Sequence, residues 1–458
     1  MVLGISRLHQ HFAFIGMLRP GLLLAGIGLA AAWFHPANLS DGSWKRRWTT
    51  KVVIGLSIVA LGSIAFGISQ GGAFHSFVEN YSKVLIGTFL LMAAIRGARD
   101  LWLFSWAYVI GAGCLVWLAL FVFQLSTDSA GVARLNDMYT WDSNDVGLVL
   151  LVGLPLTMLT LRTSGFKGKL VSGAVLLGIG ATIARTGSRG AFVGTAVVLL
   201  AYLFSLKGAS VVKRVGTIVA LAVGLALAAP QGYWKQMNTL TSVEDDYNWD
   251  AAQGRRQLAI RGVGYMLDRP LFGIGIDNFG RAEATISDRA VAWTPDMPGI
   301  KWSAAHNSYL QAGAELGVPG LLLFCTLVFG CIIAPWRLRR RIPAAWAHGD
   351  WEEQFLFQMA AYLPLSALGF AVAGFFVSFA YHDPIYILAA MTGALTAAVE
   401  SRLRGSRPDV AVPQRGPVSP ARGGRGGLGP PRARSGERVR GFAYVRSDDA
   451  DPTRSSPA

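Results

Sequence analysis

Long apolar runs alternate with short polar breaks along the chain until about residue 230, where the pattern fails. A membrane-spanning helix needs about 20 mainly apolar residues. Runs of that kind fall at roughly 12–34, 51–69, 77–95, 101–124, 145–161, 170–184, 190–206, 212–229, 308–334, 355–380 and 384–400. They predict eleven spans, within a range of ten to twelve. Segments 145–161 and 170–184 are short and need neighbouring helices or local bilayer thinning. Arg19-Pro20 interrupts the first run, which reads either as one span or as two short re-entrant pieces. The fold expected is an all-α polytopic helix bundle over 1–400. A polar island at 230–303, too long for a turn, lies inside it.

Composition agrees, with 52% hydrophobic and 15% charged residues. The apolar stretch before Trp33 is long, broken and soon followed by another, which predicts a retained anchor rather than a cleaved leader. Cys114, Cys325 and Cys331 fall inside predicted spans without metal-type spacing, as small core residues do. The net charge is +15, but tail 401–458 holds twelve Arg against five acids, which leaves +8 on 1–400. Much of that remainder sits in short loops between spans, so nucleic acid is not the partner implied. The tail is rich in Pro, Gly, Ser and Arg and is expected to be a disordered cytoplasmic extension, at most weakly drawn to membrane lipid.

Positive loops set the expected orientation. Lys45-Arg46-Arg47, then Arg96 and Arg99, then Arg162, Lys167 and Lys169 occupy alternate loops. Lys207, Lys213 and Arg214 continue the series, as do Arg337, Arg339, Arg340 and Arg341. With these facing the cytoplasm, loops 70–76, 125–144, 185–189, 230–303 and 381–383 face outward. Two outward groups go against the rule: Arg185 with Arg189, and Arg255, Arg256 with Arg261. Such arginines either snorkel and pair with acids, or serve a site.

Four outward segments carry candidate chemistry. In Arg185-Thr-Gly-Ser-Arg189-Gly190-Ala-Phe-Val-Gly194 the arginines are four apart and share a face if the helix begins early. Gly190 and Gly194 allow close helix approach. A helix N-terminus with guanidinium forks suits phosphate oxygens. Segment 254–268 fits an amphipathic helix on the interface, stopped by Asp268-Arg269-Pro270 and followed by the turn-rich Gly273, Gly275 and Gly280. His306, before Asn307, Ser308 and Tyr309 at a helix start, titrates near neutrality and can take a proton from a sugar hydroxyl. A satisfied interfacial histidine fits the same spacing. Arg134 to Asp145, with Asp142, Asn144 and Trp141, suits sugar binding and equally an interfacial aromatic loop. No zinc-type histidine spacing is present, and Glu244-Asp245-Asp246 reads as a solvated face.

Taken in order, GSRGAFVG, GRRQLAIRGVGYMLDRPLFGIGIDNFG and HNSYLQAGAELGVPG resemble the elements of the O-antigen ligase/polymerase family of bacterial inner membranes. WDSNDVG resembles that family's Asn-containing motif before a span. The resemblance covers about 140 to 320. It departs where Ala259-Ile260-Arg261 stands in place of an aromatic. It implies a fold akin to C-type glycosyltransferases, with the active site facing the periplasm. It also implies transfer of a glycan from an undecaprenyl-diphosphate carrier to a glycan, lipid or protein acceptor, without cofactor or metal. Carried over by motif, His306 would activate the acceptor, and Arg189 and Arg255 would hold the diphosphate, with Arg185 and Arg256 beside them. Arg134, Asp142, Asn144, Asn307 and Tyr309 are the candidates for glycan or acceptor binding. A transporter or flippase of lipid-linked sugars is the alternative, and a non-catalytic scaffold a third reading. A transporter usually carries midplane charges and an internal repeat; here the charges gather at one face and no repeat is seen.

Overall fold

The computed structural model describes residues 1–34, 42–127, 131–135, 138–205, 211–238, 240, 254–292 and 302–405. Helix dominates. The apolar runs become α4 (Pro20–Phe34), α5 (Trp48–Phe66), α7 (Ser82–Ala94), α8 (Ala98–Trp117), α9 (Ser143–Thr163), α10 (Phe166–Thr186), α11 (Arg189–Ser205) and α12 (Val211–Ala228), then α17 (Ser308–Arg339), α18 (Trp351–Ala373) and α19 (Asp383–Gly405). Short helices fill the gaps: α1 (Val2–Ser6), α2 (Leu8–His11), α3 (Ala13–Met17), α6 (Gln70–Ser76) and α13 (Tyr233–Asn238). The polar island adds α14 (Arg255–Asp268), α15 (Phe279–Thr285) and α16 (Asp288–Val291). A two-stranded antiparallel ribbon pairs β1 (Leu125–Thr127) with β2 (Ala133–Leu135).

Each of the eleven expected segments contains helix. Among the described residues seven helices are long and apolar enough to cross a membrane, and the chain is a multi-pass membrane protein. The first expected run is broken at Leu18-Arg19, where Arg19 has φ 44°, into α3 and α4. The two segments expected to be short each extend to 21 residues, because polar residues at their ends join the helices. The expected span 355–380 is corrected the other way: α18 stops at Ala373, and 374–382 is an irregular connection.

Helix α9 is the axis. Asp142 caps it, accepting from the Asn144 and Asp145 backbone N–H groups, while the Asp145 carboxylate accepts from the Asp142 N–H in a capping box. Thereafter no charge occurs until Arg162, so the helix can be buried all round. Of its apolar window 83% is buried, against 33% for α5 and α10, so α9 is an inner helix and those two are outer. Helices α18 and α19 share the interior at 72% and 78%. Leu23, Leu24, Ile27 and Trp33 of α4 are exposed, a surface that hydrocarbon covers at no cost. The basic segments gather at one end: Arg46, Arg47, Arg96 and Arg404 line one cavity there. The motif-bearing N-termini of α9, α11, α14 and α17 lie at the other.

Candidate functional site

Helices α10 and α11 are joined by two residues, Gly187 and Ser188. Gly187 takes φ 58°, which glycine adopts without steric cost, and Ser188 Oγ accepts from the Ala191 N–H. Arg185 therefore ends one helix while Arg189 begins the next, and the shared face expected for them does not form. The Arg185 guanidinium turns away, donating to Leu120 O (2.9 Å) and Phe123 O (3.2 Å) at the π-helical turn that follows α8. Arg189 opens α11, followed by the two glycines. A Cβ on Gly190 would lie 2.7 Å from Phe376, and one on Gly194 would lie 2.3 Å from Leu151. The pair thus seats α11 against α9 and the connection after α18. Arg134, on β2, packs on Gly187 and donates to Ser143 Oγ at the start of α9.

The island's described part is a docked structure. Leu258, Gly262 and Tyr265 form the buried stripe of α14. That stripe rests on α17, where a Cβ on Gly262 would lie 2.8 Å from Leu310. Arg261 forms a two-pronged ion pair with Glu283, and the Tyr265 hydroxyl donates to the same carboxylate (2.9 Å). Burial and the Glu283 charge push the Tyr265 phenol up, so it stays a donor. The following turn locks into a kink of α17. The Ile274 and Gly275 N–H groups donate to Ala314 O and Glu315 O, and the Val318 N–H to Pro270 O. The Glu315 carboxylate accepts from the Asp277 (2.9 Å) and Phe279 (3.0 Å) N–H groups. At the α14 start, the Arg255 guanidinium lies over the Phe376 ring, 5.8 Å from its centroid. Arg256 is exposed.

His306 is half-buried and holds φ 46°, an uncommon conformation for a residue with a Cβ. Its neighbours fix it. The Asn307 side chain caps α17, accepting from the Tyr309 and Leu310 N–H groups. The Ser308 N–H donates to Gly374 O (2.7 Å), its hydroxyl donates to Val377 O, and the Phe379 N–H donates to that hydroxyl. Tyr309 is buried, donates to Ala371 O and packs on Phe375, so its ring and hydroxyl are committed to packing. Trp141 is likewise closed to sugar stacking, held between Arg7 (4.3 Å) and Phe379. Asp142 caps α9, with Asn144 half-buried beside it.

Sequence reasoning missed the connection 374–382. It is free of charge up to Tyr381 and rich in phenylalanine, so it reads as span; Gly374 is the one early sign of a break. Yet Gly190 and Arg255 both meet Phe376, and the His306 segment is bonded to Gly374. Three motif elements from separate parts of the chain therefore converge on Gly374–Phe376. The elements that carry Arg189, Arg255 and His306 meet there, with Arg134 on the Gly187 turn that precedes Arg189, whereas the Arg185 guanidinium is bonded to Leu120 and Phe123. Among the described residues, no group of three His, Cys, Asp or Glu gathers as a metal site. Guanidinium groups are the cations the arrangement can offer an anionic ligand.

No curated protein matches the chain. The family model described as O-antigen ligase matches residues 173–325, from within α10 to the middle of α17, and so takes in Arg189, Arg255, His306 and Glu315. Over those residues the chain is similar to the O-antigen ligase family.

Proposed function

We propose that the protein transfers a glycan from an undecaprenyl-diphosphate carrier to an acceptor hydroxyl at the periplasmic face of the inner membrane. The convergence of the Arg189, Arg255 and His306 elements on Gly374–Phe376 is the observation that carries this reading. Arg189 and Arg255 engage the donor diphosphate, aided by the N–H groups opening α11. His306 takes the proton from the acceptor hydroxyl as that oxygen attacks the anomeric carbon. The carbon–oxygen bond to the diphosphate breaks, and the diphosphate leaves with the electron pair. Charge grows on the leaving group in the transition state, where preorganised cations stabilise it most. Attack from the face opposite the leaving group inverts the anomeric centre. No metal is required, because the guanidinium groups supply the positive charge. Arg134 and Asn307 flank this position as the glycan or acceptor contacts.

Reconstitution with a lipid-diphosphate glycan and acceptors, with product analysis, tests the reading. His306→Ala should lower the transfer rate by about 10²–10⁴-fold. Arg189→Ala and Arg255→Ala should each remove about 1.5–3 kcal/mol of charge-assisted binding, with expression intact. Full activity of His306→Ala or Arg189→Ala would defeat the mechanism, and retained anomeric configuration would defeat the inverting step.

A further inference from the structure

The end of the bundle opposite the candidate site holds a second built feature. The segment before α5, the α7–α8 connection and the end of α19 enclose a cavity of about 650 Å³. Arg46, Arg47, Arg96 and Arg404 line it, with Glu400 the one carboxylate among its lining residues. Topology asks for positive charge near this end. It does not ask guanidinium groups from three segments to share one cavity. Carboxylates near this end offset part of the charge: Arg402 faces Asp350, Glu352 and Glu353, and Arg96 bridges to Asp100 (3.5 Å). In the cavity Glu400 is spread between Arg341 (3.9 Å) and Arg404 (3.7 Å).

A groove of about 540 Å³ adjoins the cavity and shares Trp48 and Thr396 with it. It runs along α17 past Phe329 and Ile333 and ends at Arg337 and Arg341. The Trp48 indole is pressed onto α17, where a Cβ on Gly330 would lie 2.3 Å from the ring. It forms the partition between cationic cavity and apolar groove. A planar guanidinium matches phosphate oxygens, and several together match a phosphodiester better than a lone ion pair does. An apolar channel leading away from that cluster is what an acyl chain needs and what a free phosphate does not use. We propose that cavity and groove together bind one anionic phospholipid of the leaflet at that end, its phosphate among the four arginines and an acyl chain beside Trp48 and Phe329.

The full-length protein in mild detergent is offered phosphatidylglycerol, phosphatidylcholine with the same chains, and soluble glycerol phosphate. Native mass spectrometry reads lipid retained, and thermal unfolding reads protection. Phosphatidylglycerol should be retained in preference to phosphatidylcholine. Arg47→Gln combined with Arg404→Gln should weaken retention about tenfold or more. Thr396→Trp, which fills the junction without altering charge, should displace the lipid even if the double variant folds poorly. Arg402→Gln, outside the cavity, should leave retention as it was. Equal retention of phosphatidylcholine, or wild-type retention in Thr396→Trp, overturns the proposal. Equal protection by glycerol phosphate overturns the assignment to a lipid.

Discussion

Arg261 and Glu283 form an ion pair with only 11% and 4% of their side chains exposed. Burying two charges gains little over apolar packing, but stranding one is costly. Glu283→Ala should therefore destabilise the protein by about 3–5 kcal/mol, read as a fall in unfolding temperature. Replacing both, Arg261→Met with Glu283→Leu, should recover most of the loss. If Glu283→Ala unfolds like the parent, the pair does not hold the island together. The outward arginines were legible in the sequence as a departure from charge topology. Their division of labour was not. Arg185, Arg189, Arg255 and Arg261 carry the same group, and only their surroundings separate a cap on the turn after α8, two site candidates and an ion pair.

At the scale of elements, glycines decide how the island docks. Gly273 and Gly317 have φ 64° and 73°, and a Cβ on them would lie 2.4 Å from Ala314 O and 2.5 Å from Pro270 O. Gly317→Ala or Gly273→Ala should each cost more than about 1 kcal/mol and loosen the α14–α17 packing, visible as faster proteolysis of the island. Gly264, in α14 with open space around it, gives the contrast. Gly264→Ala should stabilise by about 0.4–1 kcal/mol in the same assay. Loss of the Asp142 cap of α9 should cost about 0.5–2 kcal/mol on Asp142→Ala. The cap follows from an aspartate before an apolar run and an acid three residues later. The docking partner of Gly273 does not, since the kink at Gly317 that receives it lies more than forty residues along the chain.

At the scale of the molecule, the connection 374–382 ties the bundle's motif-bearing end together, and His382 closes it. Burial and the nearby Arg7 charge push the His382 imidazole down to about 4 from its ordinary 6.5. Its ring packs on Phe379 at 4.4 Å. Between pH 6.5 and 4 the unfolded chain binds a proton there that the folded protein does not. Stability should thus be unaffected by this group above pH 6.5 and fall as pH drops through that window. Unfolding temperatures of the parent and His382→Phe, compared at pH 7 and 5, should converge or cross toward the lower pH. A parallel fall in both would remove His382 as the cause.

The sequence by itself determined the helical membrane character, the ends at which charge gathers and the three ordered motifs. Those properties depend on composition, period and local spacing, which neighbours in the chain share. Only the tertiary structure decided that 374–382 leaves the helix, that Arg185 and Arg189 part company, and that Tyr309 and Trp141 are walled in. Those outcomes depend on contacts between residues far apart in the chain, and on which backbone groups find partners there.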